Sequence, residues 1–357
     1  MTVIAAALPD ALRQSWPPFI LVAGLLLIGV VAASDGLFET FGARLAGLPG
    51  GGRVLFASLM ALVAAVTVVL NLDTSVVFLT PIVLHAARQR GIDETAFLYG
   101  AVFMSNSASL LLPGSNLTNL LVLAPDHARG TAVAASMFPA WVAAVAVTLL
   151  VVFVWRRREL RSPGSTPAEA APLRLGLGLA GVVAATVLVL VLGSPAVPVF
   201  CVGLALGVGQ IILRRVPAGT VRNAVNALTL TALFVFAVAL GTLARVWGAP
   251  GRLTASIGPW ATAWLGAGTA SVVNNLPAAV LLSSRPPAHV QALLVGLDLG
   301  PNLVVIGALS AILWMRVARA AEAAPSALTY SKVGIVLVPL SITAALLALQ
   351  LFGTTAR

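Results

Sequence analysis

Residues 95–124 read TAFLYGAVFMSNSASLLLPGSNLTNLLVLA, and they decide the fold. The stretch is apolar at both ends and exceeds the roughly 20 residues that a helix needs to cross a bilayer. Its middle is polar. Ser105, Asn106, Ser107 and Ser109 precede Pro113-Gly114, and Ser115, Asn116, Thr118 and Asn119 follow it. Proline lacks an N–H and glycine accepts turn geometry, so the helix breaks there. Irregular backbone at membrane depth is stable only when protein buries it or when it lines a cavity. The half-helix starting near Asn116 would then offer free N–H groups and a positive dipole end to an anion or polar solute.

Composition agrees with lipid as the solvent. Of 357 residues, 59% are hydrophobic and 9% charged, against about 25% charged in a soluble domain. The net charge of +10 would suggest nucleic acid in a soluble protein. Here the basic residues, Arg apart from Lys332, sit at the ends of apolar runs, as the positive-inside rule predicts, so nucleic-acid binding is rejected. One cysteine, Cys201, excludes a disulfide framework or a thiolate metal site within one chain. No GxxxxGK[ST] and no HExxH occurs. Pumping must draw on an ion gradient or on a separate cytosolic ATPase subunit. His85, His127 and His289 lie away from the polar clusters, which leaves no nucleophile–base pair and argues against an enzyme.

Clean apolar spans are expected near 17–34, 131–155, 173–192, 196–213, 225–247 and 333–352. The first is read as a retained span, since its flank has only Arg13 and carries Asp10. Segments 95–124 and 289–317 are interrupted. Segments 53–88 and 259–284 break midway at Asn-rich spots; each half looks too short to cross, so both are expected to be re-entrant hairpins. With both termini outside, fifteen basic residues fall inside and six outside. Two units follow, 1–155 and 225–357, of opposite orientation, joined through 156–224, a cytoplasmic loop and a connecting helix pair. Such inverted repeats with interrupted helices are the architecture of secondary transporters.

Three further clusters carry polar groups into these segments: Asn71-Leu72-Asp73-Thr74, Asn274-Asn275-Leu276-Pro277, and Gly296 to Asn302 with Asp298, Gly300 and Pro301. An ionised Asp at mid-membrane costs about 2.5–3.5 kcal/mol on insertion scales, so it must be paired, hydrated or protonated. Capping of backbone groups by Asn71, by Asp73 and, before the half-helix from Leu303, by Asp298 is the simpler alternative role. Gly50-Gly51-Gly52 reads as a loop, and the GxxxG from Gly203 to Gly207 as a packing hint.

At these clusters the chain resembles the ion transporter superfamily, most of all its arsenite permease branch. The carrying segments are SDGLFE (34–39), LDTSVVFLTPIVL (72–84), SNSASLLLPGSNLTN (105–119), SVVNNLPAAVL (271–281) and GLDLGPNLVVIGALSAILW (296–314). The resemblance implies a mobile transport domain of hairpins and broken helices beside a scaffold that often dimerises; related branches carry citrate, dicarboxylates, or sodium against protons. The branch usually has an Asp where Asn106 stands, a Lys where Asn302 stands, and Asn-Asp-Gly where Leu72-Asp73-Thr74 stands.

The expectation is thus an all-α, multi-pass inner-membrane secondary transporter with eight crossings and two hairpins, without a metal or other cofactor. Asn71, Thr74, Ser105, Asn106, Ser107, Ser115, Asn116 and Thr118 are expected to line one half of a solute site. Asn274, Asn275, Gly300 and Asn302 line the other. Asp73 and Asp298 are the candidate carriers of a coupling H⁺ or Na⁺. Proton-coupled efflux of arsenite or antimonite is the leading expectation. A carboxylate permease, a sodium/proton antiporter and a channel-like subunit served by an ATPase are the alternatives.

Overall fold

The computed structural model describes residues 2–124, 129–162 and 176–353. His127, Arg174, Arg357 and positions 163–172 of the expected loop lie outside the described residues. All regular structure in it is helical, as lipid demands, because a helix satisfies its backbone polar groups internally. The chain runs α1 (Thr2–Ser34), α2 (Leu37–Ala46), α3 (Gly52–Val69), α4 (Leu72–Gln89), α5 (Thr95–Ala108), α6 (Leu117–Leu123) and α7 (Gly130–Trp155). Then come α8 (Leu177–Val191), α9 (Ala196–Ile212) and α10 (Ala218–Val225). The last run is α11 (Ala227–Trp247), α12 (Ala249–Ser256), α13 (Pro259–Val273), α14 (Asn275–Leu282), α15 (Val290–Leu299), α16 (Leu309–Ala320) and α17 (Ala327–Phe352). One-turn 3₁₀ segments occupy Pro113–Ser115, Gly300–Leu303 and Val305–Gly307.

Five described runs are long and apolar enough to cross a membrane: Ala6–Ser34, Gly52–Val69, Gly130–Trp155, Ala218–Trp247 and Ala327–Phe352. Two expectations need correction. The first span does not begin at residue 17: α1 passes through Pro9, Pro17 and Pro18. Pro17 and Pro18 deprive the carbonyls of Arg13 and Gln14 of helical partners, and both prolines line a cavity beside this part of α1. The half-segment α3 is also not too short to cross, since 18 residues span about 27 Å. α8 and α9, with 15 and 17 residues, are shorter apolar helices inside the segments expected near 173–192 and 196–213.

The packing has an internal logic. α1 lies against α11, and α7 against α17; α4 lies against α16, and α14 against α6; α2 meets α4 as α12 meets α14. Exchanging the run α1–α7 with the run α11–α17 leaves these pairings unchanged. α8 and α9 pack on α1. Gly203 of the GxxxG meets the backbone of Gly24, where a Cβ would collide with the Gly24 carbonyl, so this motif is a helix–helix contact. Outward faces are apolar, with Leu228 84% and Val272 75% exposed, which suits hydrocarbon rather than water.

Arg90, just past α4, is buried and forks onto the connector between α2 and α3. It donates to the carbonyls of Ala46 (2.7 Å), Leu48 (3.2 Å) and Gly50. Arg90→Ala is expected to cost about 3 kcal/mol, because buried acceptors lose a charged donor. Arg90→Lys should recover only part, lacking the planar fork. Thermal unfolding of the purified protein, followed by tryptophan fluorescence, measures both.

Candidate functional site

The site begins with helix ends. Asn71 caps α4, its Oδ1 accepting the Thr74 N–H at 2.7 Å. Asn116 caps α6, accepting the Thr118 N–H at 3.0 Å. Asn274 caps α14, accepting the Leu276 N–H at 3.3 Å. Asn274 holds φ at +81° with ψ at 150°, a strained conformation that side-chain-bearing residues seldom adopt. Capping uses only the oxygen of each side chain. The Nδ2 groups are left for tertiary contacts.

Those contacts join the two interrupted segments. Asn116 Nδ2 donates to Asp298 Oδ1 at 2.8 Å, and Asn106 Nδ2 donates to Asn302 Oδ1 at 2.8 Å. Ser310 Oγ adds a bond to Asn106 Oδ1 at 3.2 Å. Asn274 Nδ2 reaches the Ile306 carbonyl at 2.9 Å, so the α13–α14 tip rests on the turn before α16. Ser105 Oγ meets Ser75 Oγ at 3.3 Å, tying α5 to α4. Ser115 Oγ donates to the Val68 carbonyl at 3.1 Å. The Gly300 carbonyl accepts from Ser271 Oγ at 3.0 Å, and a Cβ at Gly300 would overlap the backbone of Ala267. Asn106, Asn116, Asp298 and Asn302 are all 4% exposed or less.

Several polar atoms in this enclosure have no protein partner: Asn71 Nδ2, Thr74 Oγ1, Asn119 Oδ1, Asp298 Oδ2 and Asn302 Nδ2. A buried polar group without a partner costs about 1–3 kcal/mol. Donors and acceptors of both kinds are among them: Asn119 Oδ1 and Asp298 Oδ2 accept, and Asn71 Nδ2 and Asn302 Nδ2 donate. No basic side chain lies in the cluster; Arg90 is the only buried arginine among the described residues and clamps a connector elsewhere.

Asn275 is buried with no protein hydrogen bond to its side chain, and Thr118 is buried in the first turn of α6. Ser107 pairs with Thr148 Oγ1 of α7 at 2.7 Å, on the side of α5 that meets the bundle. Asp73 sits in the first turn of α4, partly exposed and without a hydrogen bond. Asp298 does not cap a following helix, as its simpler role would require: it lies inside α15, and α16 starts only at Leu309. Three contributors escaped the sequence reading, Ser75, Ser310 and Tyr330, and Asn119 was read as part of the polar cluster without being assigned to the solute site. Asn119 donates to the Ser109 carbonyl at 2.8 Å, and Tyr330 to the Pro301 carbonyl at 3.0 Å, each holding an interruption open. Asn119 carried a signal, three residues past Asn116 on one helical face. Tyr330 and Ser310 carried none.

Comparison with known proteins gives this arrangement its context. The profile of the citrate transporter family, CitMHS, matches residues 2–307. The chain belongs to that family. It is a multi-pass membrane protein and a secondary transporter rather than an enzyme. Its relatives include the arsenical pump membrane protein of Yersinia enterocolitica, 28% identical over 92% of this chain and 85% of the relative. The Escherichia coli (strain K12) protein of the same name is 29% identical with the same coverage. The silicon efflux transporter LSI3 of Oryza sativa subsp. japonica is 25% identical over 41% of this chain and 30% of its own length. Among solved structures, the YdaH transporter of Alcanivorax borkumensis superposes with a TM-score of 0.60 at 16% identity, covering 97% of this chain and 87% of that one. That likeness is one of fold, an all-helical multi-pass architecture.

Proposed function

We propose that the chain is a proton-coupled exporter of a small neutral oxyacid, arsenite or antimonite. The observation that carries this reading is a buried cluster of amides and hydroxyls with one enclosed carboxylate and no basic side chain. A di- or tricarboxylate would meet Asp298 without a cation to balance it, at a cost that low dielectric magnifies. Uncharged arsenous acid needs only hydrogen bonds. The relatives named arsenical pump membrane proteins support the same choice.

The interchangeable pairings of α1–α7 and α11–α17 support an inverted repeat. In this reading α3–α4 and α13–α14 are re-entrant hairpins, α5–α6 and α15–α16 are broken helices, and these form the mobile part. Both termini face outwards across the inner membrane. The gradient is supplied as H⁺, with Na⁺ the other candidate ion. The scaffold pairs with a second copy, and an ATPase subunit would serve only as an auxiliary.

Everted vesicles from a host stripped of its own exporters test this. Arsenite or antimonite accumulation should follow an imposed pH gradient, without ATP, and collapse with a protonophore. Accumulation of citrate in place of arsenite would transfer the protein to the activity for which its family is named. Accumulation driven by Na⁺ alone would refute proton coupling.

A further inference from the structure

One side chain is bonded to three helices at the face where α1 begins. Gln14 Nε2 donates to the Leu121 carbonyl at 2.8 Å and to Ser283 Oγ at 3.3 Å. Its Oε1 accepts from Arg245 Nη2 of α11, and Arg245 Nη1 is anchored on the Gly241 carbonyl at 3.0 Å. The two recipients are equivalent in kind. Leu121 lies in the last turn of α6, where carbonyls lack helical partners, and Ser283 is the C-cap of α14. The opposite ends of the same two short helices carry the caps Asn116 and Asn274. Gln14 therefore holds the far ends of both helices, about 10 Å from the site by helical rise.

A cavity of about 620 Å³ opens beside this contact, lined by Arg13, Gln14, Arg245, Ser283, Leu120 and Pro113. Its reach ends at Pro113. Ser115, two residues on, is fully buried and bonded to the Val68 carbonyl. The space for a solute thus stops one short 3₁₀ turn from Ser115, and the helix that follows this turn, α6, is the one Gln14 pins.

We infer that this cavity is the vestibule leading to the site from the face where α1 begins, and that Gln14, held by Arg245, is the latch closing it. The inference rests on the transport reading. The vestibule takes a small polar solute, and Arg13 and Arg245 against Asp10 leave its lining with a net positive charge that disfavours cations. Releasing Gln14 frees α6 and α14 together, so both sides of the passage open in one step.

The test uses thiol accessibility, which requires no substrate, so failure of the latch and failure of the oxyacid assignment are separable. In a Cys201→Ser background, a membrane-impermeant maleimide is applied at this face of sealed vesicles to three single-cysteine reporters: Ser115→Cys, the cavity-lining Ser284→Cys and the α7-facing Ser107→Cys. Adding Gln14→Leu should raise labelling at position 115 about tenfold, the value of one or two lost hydrogen bonds. Position 284 should react equally in both backgrounds, and position 107 should stay unreactive. Should Gln14→Leu fail to accumulate in membranes, Arg245→Gln carries the same expectation. Unchanged labelling at 115 overturns the latch, and a parallel rise at 107 overturns it as general loosening.

Discussion

Asn302→Lys alone should destabilise the folded protein by about 3–5 kcal/mol, the cost of an uncompensated buried charge. Asn302 is fully buried, and its Oδ1 takes the only side-chain donor that Asn106 offers it. Asn106→Asp alone should cost a similar amount, because the new carboxylate loses the donor that faced Asn302. Together, Asn106→Asp and Asn302→Lys place opposite charges where a 2.8 Å amide contact now stands. The double variant should recover at least about 2 kcal/mol relative to the sum of the singles. These are the two positions where the arsenite branch usually carries Asp and Lys, so a neutral amide pair stands where the resemblance implies an ion pair. Thermal unfolding across the four-member cycle measures the coupling. Additive single effects would mean that the two positions do not form an interchangeable pair.

The second large effect is expected at Asp298. Asp298→Asn keeps an oxygen for Asn116 Nδ2 but removes the one fully enclosed carboxylate of the site. Gradient-driven export should fall at least about a hundredfold, since a charge-assisted hydrogen bond and a proton carrier are lost together. Asp73→Asn should fall less, because Asp73 is partly exposed and engages no partner. Initial export rates in everted vesicles, normalised to protein in the membrane, give both numbers. Full gradient-coupled export by Asp298→Asn would remove this residue from coupling.

The residues that make the site were legible as types and places, but their partners were not. Pro113-Gly114 and Asn71, Asn116 and Asn274 announce themselves as polar, helix-ending residues inside apolar runs. Nothing periodic marks Asn106 for Asn302 or Asn116 for Asp298, which lie 196 and 182 positions apart. Those pairings arise only once α5 meets the Gly300–Leu303 turn and α6 meets α15. The short helices α2 and α12 escaped for a different reason: at 10 and 8 residues they are too brief to stand out from connecting chain. The start of α1 was misplaced because the apolar run begins only near residue 17, whereas the helix continues through Pro9, Pro17 and Pro18.

The far end of α1 has a mechanical consequence. Asp35, just past this helix, accepts the Gly178 N–H of α8 at 2.7 Å and Gln210 Nε2 of α9 at 3.2 Å. Together with the contact of Gly203 on Gly24, this makes α1 a strut clamped along its length to two neighbours. A clamped strut cannot yield when the opposite end is released. In the latch proposed above, movement released at Gln14 therefore falls to the short helices α6 and α14, whose caps are Asn116 and Asn274.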